Sequence, residues 1–309
     1  MKTIITEEMR FRERVVKYAI KHKNNAEAAR RYHTSRQQVQ RWRRKYDGRT
    51  ISLANKSTRP YTHANQHTEE ELKQIEQMYR RYGFEGLAQV YRKLINIGYT
   101  RTYQSMQKQL KKLRVRKQAK CYKYPKSRYK TLKGRYPGEY VEVDVKYVPL
   151  ECIGFVSNFS RYYQITAIDL YSRKRVLKLV NELSTYETSK FLYDLEKNMG
   201  FKIQTIQTDN GREFCNDEKE KKSRFQLTLT KLGIKHIRTR PYSPWQNGVV
   251  ERSHRIDNEL FYSRQCFKNE KEMYKAFNRY ATRTNNICRT VLKFKSPNEV
   301  VQEYKSMVA

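Results

Sequence analysis

The chain has 309 residues and a formal charge of +35, from 66 lysines and arginines against 31 acidic residues. An excess of this size resists compaction unless a polyanion neutralises it, so nucleic acid is the expected partner. No run of about 18 apolar residues is present to span a membrane, and the start lacks the apolar core of a secretory signal. Five scattered cysteines (121, 152, 215, 266 and 288) without a Cys-x-x-Cys pair support neither a disulfide framework nor a zinc ribbon, which predicts a reducing, cytoplasmic compartment.

The charge is uneven. Residues 1–136 hold 36 basic and 10 acidic side chains, a net of +26, and residues 137–309 hold 30 and 21, a net of +9. Residues 10–46 read as three short helices. The first covers 10–22. Asn24 to Glu27 offers a capped start for the second, and Ser35 with Gln38 resembles a capping box that opens the third. This is the layout of a helix-turn-helix. Its last helix presents Arg36, Gln37, Gln40, Arg41, Arg43 and Arg44, side chains that can reach base edges and phosphates. A packing-only basic bundle is the bland alternative.

Residues 47–67 are polar and read as a linker. His63 and His67 are four apart, but without a cysteine pair they fit a polar linker better than a zinc site. Thr68 and Glu71 form another capping box, opening a helix to residue 82. Residues 84–97 carry a helical stripe at Leu87, Val90, Tyr91 and Leu94. A third helix, 102–113, ends in Lys111 and Lys112, expected DNA contacts. Then 12 basic residues fall within positions 111–135 with no acid, interleaved with Tyr122, Tyr124 and Tyr129, a composition that can track phosphates and stack on bases.

From Gly138 the pattern turns to strands. Val141, Val143 and Val145 alternate with Glu142, Asp144 and Lys146. Residues 162–170 and 175–180 form a strand–turn–strand, 184–199 a helix, and 202–208 a strand that delivers Asp209 at its end. A helix over 225–232 and a strand over 234–239 follow. Ser243, Pro244 and Gln246 then predict a helix capped at Ser243, with Glu251 about two turns in. The order β-β-β-α-β-α-β-α gives an α/β domain with a mixed sheet.

Three acids stand out: Asp144, Asp209 and Glu251. Singly, each has an ordinary explanation: a solvent-facing strand residue, a tight Asp-Asn-Gly turn, and a surface pair with Arg255. Together, each is delivered to one end of the sheet. Asp144, Thr208-Asp209-Asn210-Gly211 and Ser243-Pro244-x-Gln246-Asn247-Gly248-x-x-Glu251-Arg252 resemble the D-D-E signature of retroviral-integrase-like bacterial insertion-sequence transposases. The resemblance takes in residues 137–139, 167–173, Arg289 and 295–299, and so spans roughly 137–303.

That resemblance implies an RNase H-like catalytic core, a mixed sheet flanked by helices, preceded by all-α helix-turn-helix domains. The implied boundaries are 1–48 for the helix-turn-helix, 49–67 for a linker, 68–117 for a second helical DNA-binding unit, 118–136 for a basic linker, and 137–309 for the catalytic domain with C-terminal helices. It implies that Asp144, Asp209 and Glu251 bind two Mg²⁺ (or Mn²⁺) ions for DNA strand cleavage and strand transfer. Gln246, Asn247, Arg252 and Arg255 would contact DNA, while core packing is as good a reading for Trp245. The expected partners are double-stranded DNA, as terminal inverted repeats and as target, and further copies of the chain in a dimer or higher oligomer, within the nucleoid of a prokaryote.

The interval between Asp209 and Glu251, 41 residues, is longer than is usual in the family, and the excess falls at 216–224 as a surface insertion. Glu142 shares the face of Asp144 and competes for the first metal position. Asp169 reads as structural and Glu259 as a poorer third carboxylate. The main alternative is a catalytically idle, transposase-derived DNA-binding regulator. A nuclease on RNA–DNA hybrids and a basic RNA-binding structural protein are weaker ones.

Overall fold

The computed structural model describes residues 5–55, 60, 63, 65–113, 132–216, 221–241 and 243–308. The basic run with Tyr122, Tyr124 and Tyr129, Cys121, and parts of the expected linkers and of the 216–224 insertion lie outside the described residues. The chain divides into two compact units, Met1–Gln66 and His67–Ala309.

The first unit holds α1 (Glu7–Lys21), α2 (Asn25–Arg31) and α3 (Arg36–Lys45). The first helix starts earlier than expected because Thr6 accepts from the Met9 amide and Glu7 and Glu8 favour the positive helix end. Asn24 caps α2 through the amides of Ala26 and Glu27, and Ser35 caps α3 through that of Gln38. Gln38 does not close the box, because its side chain takes the Thr34 hydroxyl at 2.8 Å. Val15, Ala19, Ala28, Ala29 and Val39 form a small core edged by Phe11, Tyr18, Tyr32 and Trp42. The alanines let α1 and α2 approach closely, which leaves the basic side of α3 free. Arg36, Gln37, Gln40, Arg41, Arg43 and Arg44 are all exposed there.

The second unit begins with α4 (Glu69–Tyr82), α5 (Leu87–Asn96) and α6 (Tyr103–Lys112). Thr68 and Glu71 form a complete capping box. A 3-10 turn, Gly83–Glu85, delays α5 until Gly86, whose φ of 114° only glycine adopts freely. Ile75, Val90, Leu94, Tyr99, Met106 and Leu110 are its core. His67 belongs to this unit rather than to a linker: it is buried, bonded to the Tyr99 hydroxyl and the Gln109 amide, each at 2.9 Å. The three helices dock on the chain's C-terminal segment. The Cys288 amide donates to Gln89 at 2.9 Å, Arg92 meets Glu299 at 3.4 Å, and Tyr91 and Tyr103 pack on Phe294.

The remaining elements are β1 (Val141–Tyr147), β2 (Tyr163–Asp169), β3 (Arg175–Val180), α7 (Thr185–Tyr193), α8 (Leu195–Met199), β4 (Thr205–Thr208), α9 (Arg224–Lys231), β5 (Lys235–Arg238), α10 (Gly248–Leu260), α11 (Glu270–Thr284) and α12 (Pro297–Val308). The expected 184–199 helix is two helices, broken at Asp194, whose backbone leaves the helical ladder for one residue. The sheet order is β3-β2-β1-β4-β5, antiparallel across β3-β2-β1 and parallel across β1-β4-β5. This mixed five-stranded sheet with helices on both faces is the RNase H-like architecture expected. None of the described helices is long and apolar enough to cross a membrane.

β1 is the central strand, so both its faces are covered. Val141 and Val143 enter a core with Ile165, Ile206, Phe191 and Phe225 beneath α7, α8 and α9. The opposite face, with Glu142 and Asp144, looks toward α10, which packs on β1 and β2. Entry to β1 is fixed by Gly138 (φ 88°). Its amide donates to Asp169 at 2.9 Å, its carbonyl accepts from Gln204 at 2.8 Å, and a Cβ there would lie 1.9 Å from the Lys202 carbonyl oxygen. Asp169 is accordingly structural: it also takes the Ser172 amide and hydroxyl, closing the β2–β3 turn.

Candidate active site

Strand register brings the two aspartates together. Val141 pairs with Ile206 and Glu142 with Gln207. The same offset, carried beyond the paired rungs, points Asp144 toward Asp209 just past the end of β4, and the two acids line the same cavity. Beyond β4 the chain turns at once. The Gly211 amide donates to Asp209 at 2.9 Å and Asn210 donates to the Thr239 carbonyl at 2.9 Å. The Glu213 carboxylate lies over Gly211, 2.5 to 2.8 Å from where a Cβ would stand, and being the end of a flexible side chain it could move aside. Glu213 is a fourth acid close enough to feel the charge of Asp209.

Glu251 arrives on α10, but the start of that helix differs from expectation. Residues Pro244–Asn247 form a 3-10 turn, α10 begins at Gly248, and Ser243 makes no cap. Gln246 is diverted: its side chain accepts from the Arg240 amide, and its carbonyl accepts from Gln207, both at 2.8 Å. Glu251 thus sits in the first turn of α10, not two turns in. Asp144, Asp209 and Glu251 line one shallow cavity of about 250 Å³ with Asn210, Thr239 and Asn247.

Like charge dominates this cavity. Burial, then the neighbouring Asp209, Glu213 and Glu251, push the Asp144 carboxyl up to about 7. Burial and Asp209 raise Glu251 and Glu213 as well. One exposed countercharge, Arg240, also lines the cavity, and the buried one beside Asp144 is weak. His254 Nδ1 lies 3.4 Å from Asp144, yet burial and then Lys146 push that imidazole down to about 4. Lys146 donates to the His254 carbonyl and to Asn258. Crowded hard carboxylate oxygens are a donor set that suits Mg²⁺ or Mn²⁺. Among the described residues, however, no three His, Cys, Asp or Glu side chains already converge on an ion position.

Glu142 is not at the cavity. It is buried, and its carboxylate accepts from the Val250 amide at 2.8 Å, holding the first turn of α10 onto β1. Burial pushes it up to about 7 against that bond. The basic candidates scatter. Arg255 is exposed and meets Glu259 at 3.8 Å rather than Glu251, and Arg252 and Trp245 are exposed. Asn247 is buried with its side-chain oxygen unpartnered. Lys111 and Lys112 close α6, both exposed. Glu213 and His254 went unassigned in the sequence. Glu213 was legible as the acid four residues after Asp209, whereas His254 depends on the face of α10 that turns inward.

Residues 134–244 match the integrase core domain family and residues 11–61 a helix-turn-helix domain family. The first match stops short of α10, so Glu251 lies beyond it. The ORF3 product of Spiroplasma virus SpV1-C74, provisionally described as an integrase, is 31% identical over 154 residues, which is 45% of this chain and 41% of that protein. The chain thus spans about two fifths of the length of this relative. Among solved structures, the simian T-cell lymphotropic virus intasome in complex with PP2A regulatory subunit B56 gamma is 20% identical (TM-score 0.44, 72% of this chain and 74% of that one). The HTLV-2 integrase catalytic core domain in complex with magnesium is also 20% identical (TM-score 0.41, 55% and 99%). The helix-turn-helix match thus falls within the first compact unit, and the integrase core match within the second, over its sheet.

Proposed function

We propose that this protein is a DDE-type transposase, which binds the terminal inverted repeats of an insertion sequence and catalyses strand cleavage and strand transfer. The observation that carries the reading is the cavity where Asp144, Asp209 and Glu251, from three separate elements, meet in a chain of charge +35. Basic surface attracts DNA. The acid cavity gives it a place to react.

Asp144, Asp209 and Glu251 would hold two Mg²⁺ or Mn²⁺ ions, which when bound supply activation of the attacking oxygen and stabilisation of the leaving oxygen. The chain's own part is positioning. Glu142 fixes the first turn of α10, the Asp209–Gly211 turn aims the second carboxylate, and His254 backs Asp144. In cleavage, a water oxygen bonds to phosphorus as the 3′-oxygen leaves. In joining, that freed 3′-hydroxyl replaces water and bonds to a target phosphorus as the target strand's own 3′-oxygen leaves. Exposed residues of α3 (Arg36, Gln37, Gln40, Arg41, Arg43 and Arg44) read the repeat, with Lys111, Lys112, Gln246, Asn247, Arg252 and Arg255 as further DNA contacts. Two ends joined in one event call for a dimer or higher oligomer, working in the cytoplasm on the nucleoid.

The test is a duplex built from the inverted repeats flanking the gene. Strand cleavage is expected with Mg²⁺, lost in EDTA and restored by added Mg²⁺. Repeat binding without cleavage under any divalent metal would point instead to a catalytically idle regulator. Full cleavage in EDTA would remove the metal mechanism.

A further inference from the structure

Helix α10 borders a second cavity, on the flank away from Glu251. It measures about 500 Å³ and is lined by Arg173 of the β2–β3 turn, Arg252 and Ser253 of α10, Arg289, and the apolar Ile168 and Ile256. Among the described residues, no acidic side chain lines it.

Three polar atoms of its lining residues are unsatisfied. Arg173 Nη1, Arg289 Nε and Ser253 Oγ are each buried without a hydrogen-bond partner. Ser253 is only 2% exposed, and a helical serine with no other use ordinarily bonds back to its own helix. Buried donors left unpaired are rare and call for an explanation.

The nearby acids are already committed. Arg173 faces Glu142 and Asp169, but Glu142 holds the Val250 amide, and Asp169 holds Gly138 and Ser172. The charged neighbours of Arg289 are Arg175, Arg173 and Asp257. Asp257 is engaged by Arg175, Gln164 and Tyr280. Burial pushes both guanidinium groups down, Arg289 to about 10. Arg173 is also held at φ 61°, a left-handed conformation that a side chain this large rarely adopts and that tends to occur at functional sites.

We propose that this arginine-lined cavity is a phosphate-binding site. Three guanidinium forks and a hydroxyl supply more donors than one carboxylate can accept, and they match a tetrahedral phosphate. The phosphate is a DNA phosphodiester or a free phosphate, as inorganic phosphate or a nucleotide. The DNA case rests on the nucleic-acid reading above. A backbone phosphate held here, next to Glu251 in sequence but on another side of α10, would anchor the strand while a different phosphate reacts.

The test uses the full chain and two probes. Inorganic phosphate is titrated against the melting temperature, with chloride at matched ionic strength as control. Wild type is expected to show a saturable rise beyond chloride, and Arg252→Ala and Ser253→Ala to need at least tenfold more phosphate. Arg289→Gln should behave likewise, and the first two variants decide the matter if it fails to fold.

The second probe is a DNA duplex whose binding is followed against salt. If the phosphate belongs to DNA, Arg173→Gln, which is not among the DNA contacts given above, and Arg252→Ala each lower affinity evenly across sequences and reduce the log–log salt slope by about one. If it is free phosphate, the slope is unchanged and the phosphate titration persists with DNA bound. An equal phosphate response in wild type and variants, with unchanged slopes, overturns the proposal. Neither probe needs metal or strand cleavage, so loss of the transposase reading would leave the phosphate result standing.

Discussion

Two aspartates on the α10 side of the same sheet meet opposite treatment. Asp257 is fully buried and saturated: Arg175 donates to it at 2.7 Å, Gln164 at 2.8 Å and the Tyr280 hydroxyl at 2.6 Å. Asp144 has its neighbour's amide, a half-committed histidine at 3.4 Å, and three other acids. A buried charge with a full set of donors holds the fold together. One left among like charges is held by the fold for some other purpose. Burial alone does not separate the two; partner supply does.

Substitution should pull the two apart. The largest effect expected is on chemistry: Asp144→Asn, Asp209→Asn and Glu251→Gln each lower strand cleavage by at least about a hundredfold. End binding and the urea midpoint should stay near wild type, since each change relieves crowded negative charge. Asp257→Asn should do the reverse. It leaves Arg175 buried without its counter-ion and costs about 3–5 kcal/mol, read from urea unfolding. Cleavage should then fall only as far as the folded fraction falls. If Asp144→Asn unfolded the protein as readily as Asp257→Asn, the contrast would collapse.

Smaller changes sharpen the same line. Glu142→Gln keeps an acceptor for the Val250 amide but loses the charge beside Arg173. It should stay active at a several-fold lower rate and cost roughly 1 kcal/mol. Wild-type rate and stability together in that variant would mean that α10 is held by other contacts. Smallest of all is Glu259→Gln. Its exposed pair with Arg255, at 3.8 Å, should be worth less than about 0.5 kcal/mol, and cleavage should be unaffected.

What the sequence made legible were features that act locally. Period-two alternation located β1, and the Asp-Asn-Gly turn located Asp209. The start of α10 was misplaced because Ser243, Pro244 and Gln246 mimic a capping box, while Gln246 in fact bonds the Arg240 amide across a 3-10 turn. The Asp257 network was invisible, since Arg175 and Asp257 lie 82 positions apart and no periodicity links them. The role of Glu142 was hidden for a related reason. Strand alternation sets its face but not which amide of α10 comes to meet it.

Gly138 bears on what the gene can tolerate. Its contacts to Asp169, Lys202 and Gln204 pin one end of the central strand, and six residues later comes Asp144. A single inserted or deleted codon between those positions would exchange the two faces of β1, turning valines toward the acids and carboxylates into the apolar layer. A two-codon change would restore the faces but leave Asp144 one full pleat past Asp209 after an insertion, or short of it after a deletion. Length in this segment is therefore expected to be as strictly held as the identity of the acids, so among diverging copies of the gene an in-frame indel here should mark a dead one.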